Sequence, residues 1–197
     1  MNGKSTRDRI IETADQLFYR QGFEHTSFKH IADAVQISRG NFYYHFKTKD
    51  EILASVIEYR LENTRHMLEQ WQSEGKSPAE RIGCFIRILI VNQSKILSHG
   101  CPVGTLTSEL AKLGHAAQSD AGGLFTLFRD WLGEQFRQLG GAEASDELAM
   151  HLLARSQGVA TLANSFNDPA FIEQEVAQMI DWLDATAIRL AQRNNDR

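Results

Sequence analysis

Cysteines, prolines and long apolar runs are scarce in this sequence, and each scarcity excludes a class of protein. Two cysteines, Cys84 and Cys101, do not make the disulfide framework of a small secreted protein. Three prolines and the lack of a Gly/Ser-rich tract argue against a long flexible linker. The longest apolar stretch, residues 86–91, is interrupted by Arg87 and is far shorter than the roughly 20 residues of a membrane span. The polar N-terminus does not resemble a secretory signal, so we expect a reduced, cytoplasmic protein with no membrane contact.

Positive charge is also scarce, because the chain of 197 residues has a formal net charge of −4. The charge is unevenly distributed. Residues 1–50 contain eight Lys or Arg and six Asp or Glu, a net charge of +2, which leaves −6 for residues 51–197. The N-terminal quarter is therefore the only part of the chain whose charge favours a polyanion, and it does so mildly.

Helical spacing of apolar residues is present throughout the chain, and strand-like alternation and internal repeats are absent. Capping residues, glycines and prolines mark the helix ends. We therefore predict an all-α fold of about nine helices, with boundaries near residues 6–21, 27–35, 38–45, 50–71, 77–98, 102–113, 119–139, 145–166 and 169–193.

The stretch from Ser27 to Lys49 predicts two short helices joined by a tight turn, a helix-turn-helix. In this motif the second helix enters the DNA major groove with its N-terminal residues at the base edges. Such a helix needs groups for phosphates, a close backbone approach and side chains that reach bases. The residues that could supply them are Ser38, Arg39, Gly40, Asn41, Tyr43, Tyr44 and His45. A glycine inside a helix costs about 1 kcal/mol relative to alanine, and a close approach to DNA would justify Gly40.

With these motifs, residues 7–53 resemble the DNA-binding domain of the TetR family of transcriptional regulators. The matching segments are A-x-x-L-F, G-F-x-x-T-S, I-A and S-R-G-N-F-Y-Y-H-F-K-T-K-D-E-I-L, at residues 14–18, 22–27, 31–32 and 38–53. The resemblance implies two domains: residues 1–49 form an N-terminal three-helix DNA-binding domain, and residues 50–197 form a C-terminal helical ligand-binding and dimerisation domain.

The resemblance also implies roles for individual residues. Thr26 and Ser27, at the start of the second helix, are expected to contact phosphate. Arg39 and Gly40 are expected to approach bases, and Tyr43, Tyr44 and His45 to contact the backbone and base edges. Lys49 is expected to hold a phosphate at the start of the fourth helix, whereas Phe42 and Phe46 are expected to be core.

The last two predicted helices carry the signal for a homodimer. The apolar stripe of residues 172–190 is longer than the core of one chain requires, and residues 148–166 interleave small residues with apolar ones. Two copies would form a four-helix bundle, as the resemblance also implies. The expected interface residues are Leu152, Val159, Leu162, Val176, Met179, Ile180 and Leu183. The alternative is that both helices are internal.

The middle helices are rich in aromatic residues, which suits a pocket for a small apolar or aromatic effector. The candidate lining residues are Phe85, Phe125, Phe128 and Trp131, with ordinary core packing as the alternative.

Cys101 precedes a helix predicted to begin at Pro102. Because a helix N-terminus favours a thiolate, Cys101 is a candidate for modification by oxidants or electrophiles; the alternative is an inert cysteine in a turn.

Two other classes of function remain. A cysteine-dependent enzyme would need Cys101 and His99 to converge, which residues two positions apart around a turn seldom do, and we expect no catalysis. We find no metal-ligand spacing and no phosphate-binding glycine loop, so we expect no metal and no cofactor. A helical adaptor protein is the other alternative. The resemblance favours a homodimeric repressor, bound to a palindromic DNA operator and released by a small apolar or aromatic effector or by modification of Cys101.

Overall fold

The protein is described by a computed structural model that covers the backbone of residues 4–195 and the side chains of residues 4–193. Ten α-helices make up this part of the chain, and it contains no strand. They are α1 (Thr6–Gln21), α2 (Phe28–Val35), α3 (Arg39–His45), α4 (Lys49–Glu74), α5 (Pro78–Val91), α6 (Gln93–His99), α7 (Pro102–Leu113), α8 (Gln118–Gln138), α9 (Ser145–Phe166) and α10 (Pro169–Asn195). The all-α prediction is therefore confirmed.

The helix predicted over residues 77–98 is two helices in the structure. α5 ends at Val91, and α6 begins at Gln93. Asn92, between them, lies outside helical geometry with φ −100° and ψ 12°. Its N–H still bonds to the carbonyl of Ile88, and the helix is interrupted here without a glycine or a proline. Because Asn92 is an ordinary polar residue in an apolar stretch, periodicity gave no signal for this break.

The helices form two compact units. The first unit contains the chain up to Asn63 together with Pro102–Leu124, and the second contains Thr64–Cys101 together with Phe125–Arg197. The inclusion of α7 in the first unit differs from a simple division at residue 49. The separation of DNA binding from effector binding and dimerisation at residues 49 and 50 concerns function and stays a prediction.

The first unit is built on an apolar core shared by α1, α2, α3 and the start of α4. Ile10, Ala14 and Phe18 lie on one face of α1, four residues apart, and all three are buried. Phe42 and Phe46 are also buried, as expected. α1 begins at a capping box in which Ser5 and Asp8 exchange hydrogen bonds. Burial of this face fixes the position of the short helices that follow.

The second unit contains α5, α6, α9 and α10. α5 packs along α10, and α6 packs against α9. The apolar positions of α9 and α10 are largely buried by these neighbours within one chain. At the surface, Arg129 makes two hydrogen bonds of 2.6 Å with Asp146, and the guanidinium lowers the pKa of that carboxyl. Among the described residues, no helix combines the length and apolar character needed to cross a membrane.

Candidate nucleic-acid interface

Helix α3 presents a set of polar side chains to the surface of the first unit. Ser38 caps the helix by accepting a hydrogen bond from the N–H of Asn41 at 3.3 Å. The turn before it passes through Gln36 in the left-handed region, with φ +60°. The exposed residues of this segment are Ser38, Arg39, Gly40, Asn41, Tyr43 and Tyr44, and His45 is half-buried. Within residues 4–193, the side chains of Arg39 and Asn41 make no hydrogen bond or ion pair.

The two adjacent tyrosines both face outward. Tyr44 is 77% exposed, and its ring stands edge-on to that of His45 at 5.2 Å. Tyr43 is 44% exposed and leans against Phe28 and Phe42, with ring centroids 5.5 and 6.4 Å apart. Tyr43 is therefore held in one direction by α2, whereas Tyr44 projects freely. An aromatic ring with a terminal hydroxyl can pack on sugar and donate to phosphate.

Gly40 has no structural reason to be glycine. It is helical, it is exposed, and an ideal Cβ built on it would have no atom within 4 Å. Since the fold would accept alanine there at a gain in helix stability, the requirement for glycine lies outside the chain. A partner that approaches the backbone of α3 closely, such as the edge of a base pair, meets this description.

Thr26 and Ser27 were both expected to contact phosphate, but the structure separates their roles. Thr26 is 1% exposed, and its hydroxyl donates to the carbonyl of Gly22 at 2.7 Å while accepting from Gln21. It lacks the exposed hydroxyl that a phosphate contact requires, and instead holds the turn between α1 and α2. Ser27 is the exposed N-cap of α2, and its Oγ accepts from the N–H of His30. Its hydroxyl hydrogen is left for an acceptor such as phosphate.

Lys49 has two internal partners. Its Nζ donates to the carbonyls of Phe23 and Glu24 at 3.1 and 3.3 Å, and lies 4.2 Å from the centre of the Phe23 ring. The ammonium therefore ties the start of α4 to the turn before α2. One of its three hydrogens is left over, so the phosphate contact stays a prediction.

Two further lysines lie on this surface and were not among the predicted residues. Lys29 forms an ion pair of 2.8 Å with Asp33, one turn along α2. Lys47 is exposed, and its Nζ bonds to the carbonyl of Tyr43 at the end of α3. The K-T-K pattern from Lys47 to Lys49 was the available signal, because cations beside a recognition helix suit phosphate.

The predicted effector residues lie in the second unit, at different depths. Phe85 and Phe128 are buried and touch each other, with ring centroids 5.5 Å apart. They belong to the packed core. Phe125, Trp131 and Cys101 are half-buried. Trp131 lines a groove of about 490 Å³, and its ring lies 5.7 Å from that of Trp71.

Five of the seven predicted dimer residues are buried within the single chain. They are Leu152, Val159, Val176, Met179 and Leu183. Their side chains pack against the chain's own helices, so a partner could not reach them. Leu162 is exposed and Ile180 is half-buried, which leaves these two in position for an interface.

The arrangement of α2 and α3 defines a class of protein. A capped helix joined by a tight turn to a second, exposed helix with an arginine, an asparagine and two tyrosines is a helix-turn-helix DNA-binding element. The protein is a DNA-binding transcriptional regulator. Its N-terminal residues 10–56 match the family model described as bacterial regulatory proteins, tetR family. The chain therefore carries a DNA-binding domain of the TetR family, and over most of its length it is similar to TetR-family transcriptional regulators.

Known proteins similar to the whole chain are regulators of the same kind. An uncharacterized HTH-type transcriptional regulator in the lacX 3' region of Lactococcus lactis subsp. lactis is 28% identical over 176 residues, 87% of this chain and 90% of that protein. The HTH-type transcriptional repressor DhaR of Mycobacterium sp. (strain GP1) is 23% identical over 162 residues, 77% of this chain and 79% of that one. The crystal structure of a TetR transcriptional regulator from Legionella pneumophila has a TM-score of 0.81 at 28% identity, and the match covers 92% of this chain and 98% of that chain.

Proposed function

We propose that this regulator is a homodimeric repressor that leaves a palindromic operator when its second unit binds a small apolar or aromatic effector, or when Cys101 is modified. The observation that carries the proposal is the exposed α3 surface, with an open glycine and outward tyrosines, which suits one half-site. A dimer on an operator blocks polymerase, so repression is the expected output. The proposal places the protein in the cytoplasm, with the chromosome.

The dimer part of the proposal is supported by apolar side chains that remain exposed on α9 and α10. Met150, Leu162 and Phe166 are exposed on α9, and Ile188 is exposed on α10. Gly158 lies between the first two, and a Cβ there would meet no atom within 4 Å. Gly158, Leu162 and Phe166 follow one another at four-residue spacing and so lie on one side of α9, where the open space at the glycine suits close packing against the same side of a second copy.

The effector part of the proposal is supported by the groove beside Trp131. Leu68 and Leu127 line it together with Trp131, and so do two acidic residues, Glu69 and Asp130. Within the described part of the chain, the indole Nε1 of Trp131 is buried without a hydrogen-bond partner. An unpaired buried donor costs about 1–3 kcal/mol, so a rearrangement that gives it an acceptor is favourable. A flat molecule with an apolar face and an acceptor atom fits these needs.

The alternative trigger is Cys101. It is half-buried and directly precedes α7, which begins at Pro102 as the sequence predicts. Modification at this point would act on the first turn of α7, and we propose that either trigger shifts α4 and thereby the separation of the two copies of α3. Because the spacing of operator half-sites is fixed, a shift of a few ångströms would misalign one of them.

The experiment is operator release from purified protein challenged with apolar ligands, quinones and aldehydes. Wild type is compared with Trp131→Ala and Cys101→Ser. We expect Trp131→Ala to lose release by apolar ligands and Cys101→Ser to lose release by quinones and aldehydes. If both variants release the operator like the wild type, neither site is the sensor.

The two other classes of function can be tested on the same material. A gel shift with the DNA upstream of the protein's own gene, at two salt concentrations, separates a regulator from an adaptor, since a regulator retains specific DNA at moderate salt. An enzyme would turn over a small molecule, and Cys101→Ser would abolish that turnover. We expect retention of DNA and no such turnover.

A further inference from the structure

The turn between α1 and α2 is held by two charged side chains from distant parts of the first unit. The N–H groups of Phe23 and Glu24 donate to the two carboxylate oxygens of Glu109 on α7, each at 2.9 Å. The carbonyls of the same two residues accept from Lys49 on α4. The two N–H groups and two carbonyls of Phe23 and Glu24 are therefore bound by a carboxylate on one side and an ammonium on the other.

Gly22 makes room for this carboxylate. It has φ +88°, a conformation that residues with a Cβ rarely adopt. A Cβ there would lie 2.9 Å from Oε1 of Glu109, closer than real contacts allow. The backbone conformation therefore favours glycine here, and the lack of a Cβ leaves room for the carboxylate of Glu109 in its observed position.

Two other contacts hold α7 against the rest of the first unit. The guanidinium of Arg60 donates to the carbonyl of Pro102 at 2.6 Å and also pairs with Asp15 on α1. Beyond the end of α7, His115 lies 3.5 Å from the carboxylate of Asp50 and stands edge-on to the Phe23 ring. Contacts before and after Glu109 therefore fix α7, and with it the carboxylate, against the turn.

The position of this turn determines where α2 begins. Thr26 bonds back to the carbonyl of Gly22, and Ser27 begins the helix as its cap. α2 then positions α3 through the contact of Phe28 with Phe42, whose ring centroids are 5.2 Å apart. A displacement at Phe23 and Glu24 would pass along this path to the DNA-facing side chains.

We propose that Glu109 is a positioning residue for operator binding. It acts through the Phe23–Glu24 turn, which orients α2 and α3, so that the DNA-binding unit is incomplete without α7. The direction in which operator affinity changes when Glu109 is substituted distinguishes this role from simple electrostatic repulsion. A carboxylate repels DNA, so the loss of its charge alone would strengthen binding. Loss of its two hydrogen bonds weakens binding because the turn is no longer fixed.

The test measures operator affinity of the full-length protein by fluorescence anisotropy, at a temperature where circular dichroism shows every variant folded. Glu109→Gln keeps the size but only one acceptor oxygen, and Glu109→Asp keeps the charge but draws the carboxylate back by about 1.5 Å. Both should weaken binding by about fivefold or more, because charge-assisted hydrogen bonds are lost. Asp120→Asn, on α8, removes the same charge from an exposed site of the first unit and should leave binding equal or tighter.

A second readout is amide hydrogen exchange at Phe23 and Glu24, which should accelerate in both Glu109 variants and stay unchanged in Asp120→Asn. Wild-type affinity in either Glu109 variant would overturn the proposal. So would weaker binding with wild-type exchange at both amides, because Glu109 would then act by another route. If Glu109→Gln does not fold, the Glu109→Asp comparison decides alone.

Discussion

At the scale of the residue, Gly40 is the position where we expect helix stability and DNA binding to make opposite demands. The glycine weakens a helix of only seven residues, α3, and nothing in the chain crowds the place where a side chain would be. Its neighbours Arg39 and Asn41 are exposed, so the backbone between them lies on the surface that we propose meets DNA. A methyl group there would add helix stability and, in the proposed complex, would stand between the backbone and the base edges.

We therefore predict that Gly40→Ala raises the free energy of unfolding by about 0.5–1 kcal/mol. Operator affinity should fall by about tenfold or more, since an overpacked contact costs about 1–3 kcal/mol. Chemical denaturation and anisotropy titration measure the two effects on the same sample. Gly122→Ala is the matched control, because Gly122 is also helical, on α8, with open space at its Cβ. It should stabilise the protein without weakening binding, and equal losses in the two variants would contradict the account.

Individual residues also show which contacts a sequence pattern can predict and which it cannot. The pattern around Ser38 predicted the recognition helix, because capping is a local property, but it did not show that both tyrosines face outward. It could not show that Thr26 turns its hydroxyl back to Gly22, since a threonine beside a helix cap is compatible with either direction. Nor could it show Glu109 at the turn, because that contact joins residues 86 positions apart.

At the scale of the element, α9 illustrates what the periodicity of apolar residues can predict about a helix and what it cannot. Its apolar residues, interleaved with small ones, were predicted to lie on one helix, and its boundaries at Ser145 and Phe166 agree with those expected from the sequence. Periodicity identifies an apolar face but does not identify what covers it. In the structure α5, α6 and α10 cover most of that face, so the side chains left for a partner are those at its margin, such as Leu162.

We predict that Leu162→Glu shifts the protein from dimer to monomer, raising the dimer dissociation constant by about tenfold or more, because a charge would be buried against an apolar partner surface. Sedimentation velocity over a concentration series measures the shift. The matched control is Leu113→Glu on α7, a leucine with the same exposure of 44% outside the second unit. An unchanged dimer in Leu162→Glu, or a monomeric wild type at micromolar concentration, would contradict the proposed interface.

At the scale of the whole molecule, the low positive charge limits how the protein can bind DNA. The chain has a net charge of −4, and most cations near α3 already have partners. Lys29 pairs with Asp33, Lys47 bonds to a carbonyl, and Lys49 bonds to two. Counterion release should therefore contribute less than directed hydrogen bonds from α2 and α3.

The expected result is a shallow dependence of affinity on salt. With at most about four phosphate-contacting cations in each protomer, a plot of log affinity against log salt should have a slope no steeper than about −7 for a dimer. Anisotropy titrations at several potassium concentrations measure this slope. A slope of about −10 or steeper would mean that cations outside the described surface carry the binding.

The fold of the whole molecule was predictable because the DNA-binding motif is local and long, and helical periodicity in the remaining helices agrees with it. The two compact units were less predictable, since α7 joins the first unit only through long-range contacts such as those of Arg60 and Glu109. The residues that bind the effector were not predictable. The aromatic residues of the middle helices suit either a pocket or a core, and Phe85 and Phe128 pack in the core.

The most direct test of the central claim, that exposed α3 reads the major groove from each half of a dimer, is a methylation-interference experiment on the operator. Methylation of guanine N7 blocks contacts in the major groove only. We predict interference in two symmetry-related clusters whose centres are about one helical turn, or a multiple of it, apart. Both clusters should weaken together in Gly40→Ala. Binding that is indifferent to guanine N7 methylation throughout the protected site would contradict the claim.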